Sequence, residues 1–269
     1  MRTLVHLSDL HFGRTDDSLI EPLIACVAQI KPDVVVVSGD LTQRARTQQF
    51  KDARSFLDRL PSPQIVVPGN HDVPLYHVLH RALQPYTKYR RYISDDLEPL
   101  YSDEEIVVLG VNTARALTIK GGRISEQQIA RVYERFSPFG AGIVKIIVTH
   151  HPFDLPEGHD DANIVARAGQ AMQGFASCGV DLFLAGHTHI VHAGSTAARY
   201  KLDGHAAVVV QAGTATSTRG RGELNSFNVV RVDRSSIGVE QLTWMREEAQ
   251  FSVTSSRRFE CLSGLWSAV

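Results

Sequence analysis

Apolar residues along this chain follow two periods. Short, mainly apolar runs at residues 3–7, 33–37, 64–67, 106–111, 144–148 and 181–184 have the length and β-branched content of strands buried on both faces. Between them, residues 18–30 place Leu19, Ile20, Leu23, Ile24 and Val27 at helical spacing, behind Asp16 and Asp17 as cap candidates. Comparable helical patterns cover 47–60, 125–136 and 163–177, and a further one over 75–93 is interrupted at Pro85. Strands alternating with helices predict βα units around a buried sheet. After Gly186 the texture changes to short alternating runs at 190–193, 206–211, 226–232 and 239–243, with turns at Asp203-Gly204 and 233–238. These predict a largely antiparallel second sheet whose strands run to about residue 245. No linker, repeat or low-complexity tract separates the halves. The expectation is a single domain over residues 1–269, an α/β fold of two facing sheets flanked by helices.

Composition narrows the partners. With 269 residues, 43% of them apolar, the chain can bury a sizeable core. Its 28 basic and 29 acidic residues leave a formal net charge of -1, so no global field favours a polyanion or an anionic membrane. Nucleic acid and membrane are therefore not expected as partners. Cys26, Cys178 and Cys261 are odd in number and widely spaced, which gives neither a disulfide framework nor a CxxC zinc pattern and suits a reducing compartment. No run approaches the roughly 18 apolar residues of a membrane span, so a cytoplasmic location is expected. The remaining hint is 12 histidines, imidazole being the commonest transition-metal ligand.

The polar motifs fall just after predicted strands, where an open α/β sheet places its ligands. They are Ser8-Asp9-Leu10-His11, Ser38-Gly39-Asp40-Leu41, Pro68-Gly69-Asn70-His71-Asp72, Thr149-His150-His151-Pro152 and Gly186-His187-Thr188-His189. Each alone has an ordinary structural reading: a capping Asp, a loop turn, or a His on a strand's solvent side. Five strand-end blocks rich in Asp, Asn and His make independent accidents a poor explanation. Two carboxylates, one amide and four imidazoles form a mixed oxygen and nitrogen set suited to Mn, Fe, Zn or Co, and too rich in nitrogen for Ca or a purely Mg site.

The ordered series Asp9-x-His11, Gly39-Asp40, Gly69-Asn70-His71-Asp72, His150 and Gly186-His187-x-His189 resembles the calcineurin-like metallophosphoesterase superfamily. That resemblance implies a four-layer α/β/β/α sandwich of two mixed sheets. It implies that Asp9, His11 and His189 bind one divalent ion, that Asn70, His150 and His187 bind a second, and that Asp40 bridges them. His71 falls at the family's catalytic histidine, Asp72 is placed to orient it, and His151 is a supporting residue. The implied reaction is attack of a metal-bridged hydroxide on a phosphoester, and no GxSxG elbow signals a serine nucleophile instead.

Within the superfamily, Gly39-Asp40-Leu41-Thr42-Gln43-Arg44-Ala45 lacks the GDxVDRG pattern of serine/threonine phosphatases, and Gly69-Asn70-His71-Asp72 stands where they read GNHE. Arg44 still occupies the offset of their phosphate-binding arginine, although a surface arginine at a helix start reads equally well. Intact His71 argues against the lipid-A precursor hydrolases. The blocks look most similar to small bacterial class III cyclic-nucleotide phosphodiesterases, so a small phosphodiester such as a cyclic nucleotide is the expected substrate. The alternatives are a nuclease or phosphomonoesterase of the same superfamily, or a non-catalytic scaffold with this fold. Because Arg44 is the one basic residue with a motif-based claim on the phosphate, a monoanionic diester is expected to suit the site better than a dianionic monoester. The segment 86–92 interleaves bases with tyrosines and could meet a nucleotide, but reads more readily as a solvated helix face. Arg219 and Arg221, in the loop 213–223, could reach the phosphate or a partner copy in a homodimer.

Overall fold

The computed structural model describes residues 1–75, 81, 83–116, 118, 120–219 and 222–269. In chain order the strands are β1 (Arg2–Leu7), β2 (Val34–Val37), β3 (Gln64–Val66), β4 (Leu100–Ser102), β5 (Ile106–Gly110), β6 (Val144–Val148) and β7 (Leu182–Ala185). They continue with β8 (His192–Ser195), β9 (Val208–Gln211), β10 (Ser226–Val232), β11 (Ser236–Met245), β12 (Gln250–Leu262) and β13 (Leu265–Ala268). The helices are α1 (Ile20–Ile30), α2 (Thr47–Leu57), α3 (Thr87–Tyr92), α4 (Glu126–Phe136) and α5 (Ala168–Ser177). The predicted helix 75–93 is realised over α3, while residues 76–80 and 82 lie outside the described residues.

The strands form a seven-stranded sheet in the order β13-β12-β11-β10-β1-β2-β3 and a six-stranded sheet in the order β4-β5-β6-β7-β9-β8. Parallel pairs join β1, β2 and β3, and likewise β5, β6, β7 and β9. Antiparallel strands complete both sheets. The side-chain period of two sorts each run between layers. In β2, Val34 and Val36 face the other sheet, whereas Val35 and Val37 face the α1 and α2 side. In β6, Ile146 and Val148 join the layer between the sheets, while Ile147 packs with Phe136 of α4 and Phe175 of α5. Strands sandwiched this way have no wet face, which is why they read as continuous apolar runs. The result is the expected four-layer α/β/β/α sandwich.

The C-terminal expectation needs correction. The strands after Gly186 do not form a sheet of their own. Strands β8 and β9 extend the sheet of β4–β7. Strand β10 turns back to pair antiparallel with β1, from Arg2↔Val232 to His6↔Asn228, and so attaches β11–β13 to the N-terminal sheet. The edge of β1 not paired with β2 presents a row of backbone groups that must find partners when buried. Strand β10 supplies them. Strand β12 escapes a periodicity reading because much of it is exposed and carries Ser, Thr and Arg.

Helix ends obey local chemistry. Ser125 accepts from the Gln128 amide at 3.2 Å while Gln128 Oε1 accepts from the Ser125 amide at 3.1 Å, a capping box at the start of α4. Asp16 accepts from the Ser18 amide at 3.1 Å and caps the 3-10 turn that leads into α1. No helix among the described residues is long and apolar enough to cross a membrane.

The layering predicts a contrast in stability. Replacing Ile146, fully buried between the sheets, by Ala should cost about 2–5 kcal/mol. The exposed Val253→Ala should stay within about 0.5 kcal/mol of the parent. Urea titrations of both variants provide the check, and equal midpoints would contradict the inter-sheet packing.

Candidate metal centre

The five polar blocks converge at one end of the two sheets. Asp9 and His11 follow β1, Asp40 follows β2, Asn70 follows β3, His150 follows β6, and His187 and His189 follow β7. Two sheets thus contribute to one site, and the turns that make it are strained. Asp9, His11, Asp40, His187 and His189 have φ of 52°, 51°, 52°, 74° and 61°, in the left-handed region. A non-glycine residue there costs about 1–3 kcal/mol where the surroundings impose it.

Hydrogen bonds between the turns impose it. The Asp9 amide donates to Gly39 O at 3.1 Å and the His11 amide to Asp40 O at 2.9 Å. Thr214 and Thr216, after β9, each donate a hydroxyl at 2.8 Å to the carbonyls of Asp9 and Leu10. Gly39 has φ of 94°, and a Cβ there would lie 2.7 Å from His150 Nδ1. At Gly69 a Cβ would collide with the backbone and carboxylate of Asp40. Both positions require glycine because side chains from neighbouring turns occupy the space.

Asp40 lies between two groups of donor atoms. On one side, His11 Nε2 lies 3.8 Å from Asp40 Oδ2, 3.5 Å from Asp9 Oδ1 and 3.2 Å from His189 Nε2, which is itself 3.1 Å from Asp9 Oδ1. On the other, His150 Nε2 lies 3.4 Å from Asp40 Oδ1 and 3.1 Å from Asn70 Oδ1. Asn70 Oδ1 also lies 3.1 Å from His187 Nδ1. All seven predicted ligand residues are therefore brought together, as two groups on either side of one carboxylate.

Several observations fit this cage to cations. Asp9 Oδ1 is buried without an aligned hydrogen bond, and the donor atoms of Asp9, His11 and His189 lie within 4.8 Å of one another. His150 Nδ1 is 2.8 Å from Ser38 O. A carbonyl can only accept, so Nδ1 carries the proton of the neutral ring and Nε2 turns its lone pair inward. Burial alone would lower the His150 pKa, yet the Asp40 carboxylate holds it up at about 9. Burial also works against charge at Asp9 and Asp40, but the surrounding imidazoles hold both carboxyls well below the usual range. His187, buried beside His150, is pushed down to about 3. A pocket that binds a proton so firmly at His150, with two buried carboxylates and the unprotonated His187 beside it, offers the negative potential and lone pairs that a cation requires.

The neighbouring residues divide into two kinds. His71 donates from Nδ1 to Gln43 O at 2.8 Å, and its Nε2 lies 3.2 Å from Arg219 Nη1. Burial lowers its pKa, although the Asp40 charge pulls the other way. Asp72 does not orient this ring, as had been expected of it. Its carboxylate accepts from the amides of Leu41, Thr42 and Gly69 at 3.1, 2.8 and 2.9 Å and from the Thr42 hydroxyl at 3.0 Å, tying the second block to the third. The residue that orients His71 is Gln43, through a backbone carbonyl that no side-chain pattern can reveal. A donor atom of His151 lies within 4.8 Å of those of His150 and His187, but its Nδ1 pairs with the Thr113 hydroxyl and its Nε2 donates to Lys120 O, both at 2.9 Å. Both ring nitrogens are thus already partnered, and the ring packs 4.5 Å from that of His187.

A cleft of about 200 Å³ opens over Asn70 and His71, lined also by Gln43, Arg44, Val73, Leu75, Lys120 and Arg219. Arg44 lines this cleft, with Nη1 bonded to Gln43 O at 3.1 Å. Arg219 reaches the cleft, whereas Arg221 lies outside the described residues. Lys120 carried no motif and was missed. The tyrosines of 86–92 are structural: Tyr89 is fully buried and donates to Val66 O at 3.0 Å, and Tyr92 stacks on Phe50.

Residues 2–191 match the calcineurin-like phosphoesterase family. The chain belongs to that family. It is 25% identical over 174 residues to a probable glycerophosphodiester phosphodiesterase of Arcobacter nitrofigilis, covering 59% of this chain and 60% of that protein. Against a probable cyclic nucleotide phosphodiesterase of Synechococcus it is 24% identical over 174 residues, covering 60% and 59%. The curated relatives it resembles are matched over 60% of their length or less. The fold is shared with a dimetal phosphatase from Danio rerio, with a TM-score of 0.62 at 13% identity over 94% of this chain and 98% of that one.

Asp40→Ala removes the carboxylate that stands between the two donor groups. Metal bound per chain, read by elemental analysis after dialysis in Mn, should fall for the whole site together and not by one ion alone. Retention of the parent's stoichiometry would show that Asp40 is not shared.

Proposed function

We propose that this chain is a dinuclear metal-dependent phosphodiesterase acting on small phosphodiesters such as cyclic nucleotides or glycerophosphodiesters. Asp9, His11 and His189 would hold one divalent transition-metal ion, Asn70, His150 and His187 a second, and Asp40 both. The observation that carries this reading is the pair of donor groups on either side of Asp40, with His71 and an open cleft beside them. The mixed oxygen and nitrogen donors suit Mn, Fe, Zn or Co. When bound, two such ions supply Lewis acidity that lowers the pKa of a water and offsets charge on the phosphoryl oxygens.

The protein's own residues supply position and selectivity. The hydrogen bond to Gln43 O fixes the His71 ring and turns Nε2 towards the cleft. When protonated at Nε2 as well, the ring would bond a phosphoryl oxygen or pass that proton to the departing oxygen, a contribution of about 10²–10⁴-fold for a positioned acid. Asn70, next in the chain, keeps the adjacent ligand turn in register with it. Support for a diester comes from the two phosphodiesterase relatives. The charge argument for a monoanion weakens, since Lys120 and Arg219 join Arg44 at the cleft. The metal cage and His71 together favour an enzyme over a scaffold, which needs neither.

Two measurements test the reading. The ratio of kcat/KM for bis(4-nitrophenyl) phosphate to that for 4-nitrophenyl phosphate should exceed one, with turnover of cyclic nucleotides or glycerophosphodiesters and none of linear oligonucleotides. A monoester preference would make the protein a phosphomonoesterase, and oligonucleotide cleavage alone would make it a nuclease. His71→Ala should keep its metal and lose about 10²–10⁴-fold in kcat on alkyl esters, but less on nitrophenyl esters, whose leaving group needs little protonation. Equal losses on both would assign His71 to phosphate positioning.

A further inference from the structure

The cleft beside His71 draws part of its lining from two loops that no sheet joins. Val73 and Leu75 come from the segment after the third polar block and Lys120 from the segment after β5. None of the three belongs to a described strand or helix, so no ladder sets the distance between them. What spans them is the guanidinium of Arg81. It donates from Nη1 to Pro74 O at 3.0 Å, from Nη2 to Thr118 O at 2.6 Å and from Nε to Ala116 O. Pro74 lies between the two apolar cleft residues, and Thr118 lies two positions before Lys120.

Arg81 is 7% exposed, and burial lowers its pKa. A side chain that only filled this space would be apolar, since a charge taken out of water must be compensated. The three carbonyls compensate it, through charge-assisted bonds roughly twice as strong as neutral ones. A planar guanidinium also offers its donors at fixed angles, so bonding Pro74 together with Ala116 and Thr118 fixes the two segments relative to each other, which a single ammonium cannot do. The second segment is held at other points as well: the Arg123 amide donates to Thr113 O at 2.9 Å across its base, and Lys120 O accepts from His151 Nε2 at 2.9 Å. The bonds from Arg81 tie its middle to the segment of Val73 and Leu75. Arg81 does not itself line the cleft, so it acts on a substrate through the two segments it joins.

We propose that Arg81 is a positioning residue for substrate selectivity: by joining the two segments it sets how far Val73 and Leu75 stand from Lys120, and hence how bulky an ester group the cleft admits. At about 200 Å³ the cleft lies below the roughly 300–1,000 Å³ of pockets for drug-sized ligands, so the substrates it favours are diesters with a small ester group. The assignment rests on the phosphodiesterase reading and adds to it a determinant outside the cleft.

Arg81→Met keeps an unbranched stem and removes all three bonds. Hydrogen exchange read by mass spectrometry should show peptides over 73–75 and 114–121 exchanging about tenfold faster than in the parent, as local opening requires. Symmetric diesters present the same group whichever oxygen departs, so competition by dimethyl, diphenyl and di(1-naphthyl) phosphate against bis(4-nitrophenyl) phosphate on the metal-loaded protein reads the size limit. The ratio of the inhibition constant of the dinaphthyl ester to that of the dimethyl ester should fall about tenfold in Arg81→Met, within the range that misfit in a pocket confers. Arg81→Lys, which keeps the charge but not the fork, should fall between, and in turnover of bis(4-nitrophenyl) phosphate KM should move more than kcat. Unchanged exchange in both segments would overturn the clamp. Faster exchange with an unchanged or higher ratio would leave Arg81 a stabilising residue with no part in selectivity. If Arg81→Met does not fold, Arg81→Lys decides by the same two readings. If the parent hydrolyses no diester, the phosphodiesterase reading fails, and exchange together with calorimetric binding of the same three esters still decides the clamp and the size limit.

Discussion

The Asp40 carboxylate is the constraint to which the rest of the structure answers. It is 2% exposed, alongside an Asp9 that is fully buried, and removing two anions from water costs several kcal/mol for each unless partners compensate. The compensation comes from both sheets at once. Asp40 itself ends β2 of the seven-stranded sheet, while His150, held up at about 9 by the same carboxylate, ends β6 of the other. The His71 amide adds a 2.8 Å bond to Oδ1. A charge that must be answered from two sheets fixes how those sheets are placed against each other, and the apolar layer between them is what holds the placement.

That layer also makes the local strain sustainable. Five proposed ligands at positive φ represent several kcal/mol in total by ordinary magnitudes, a large share of the net stability of a domain. The strain cannot relax through the backbone, because the strained turns are bonded to one another: Asp9 to Gly39, His11 to Asp40, and Thr214 and Thr216 back to Asp9 and Leu10. Nor can it relax by separating the turns, because the strands beneath them are buried on both faces. Rigid sheets therefore hold turns that would otherwise open, and the ligand atoms stay close although their charges and lone pairs repel.

Much of this was legible in the sequence, for a physical reason. Strands buried on both faces give unbroken runs such as Val34–Val37, and the residues that end them are polar only if something at the strand ends needs polar atoms. The proposed ligand set and the layer order follow from those two signals. Sheet membership after Gly186 was not legible, because alternation shows that a strand has one wet face but not which edge it joins; β10 went to β1. The roles of Gln43 and Lys120 were hidden differently. Gln43 acts on His71 through a carbonyl every residue possesses, and Lys120 becomes relevant only because the fold carries its loop to the mouth of the cleft. Asp72 was recognised as part of its motif but given the wrong partner: proximity to His71 in sequence suggested the ring, whereas four donors from the turns at 41–42 and 69 claim its oxygens.

His150 and His151 show why residue type alone could not apportion such roles. They are consecutive and equally buried, with ring centroids 4.9 Å apart, yet their proton affinities diverge. Burial opposes charge at both. At His150 the Asp40 carboxylate overrides it, whereas at His151 burial is joined by the neighbouring imidazoles of His187 and His150, either of which would repel a second proton, and its pKa stays well below the ordinary value. A neutral His151 with Nδ1 accepting from Thr113 and Nε2 donating to Lys120 O has spent both nitrogens and packs against the His187 ring. His150 spends one nitrogen on Ser38 O and leaves the other facing Asp40. The distinction between a ligand and its support therefore lies in which nitrogen each neighbouring oxygen has claimed. The carbonyl of Lys120 that claims His151 belongs to a residue that also lines the cleft, so the surroundings of His187 and the rim of the cleft are joined through one short loop.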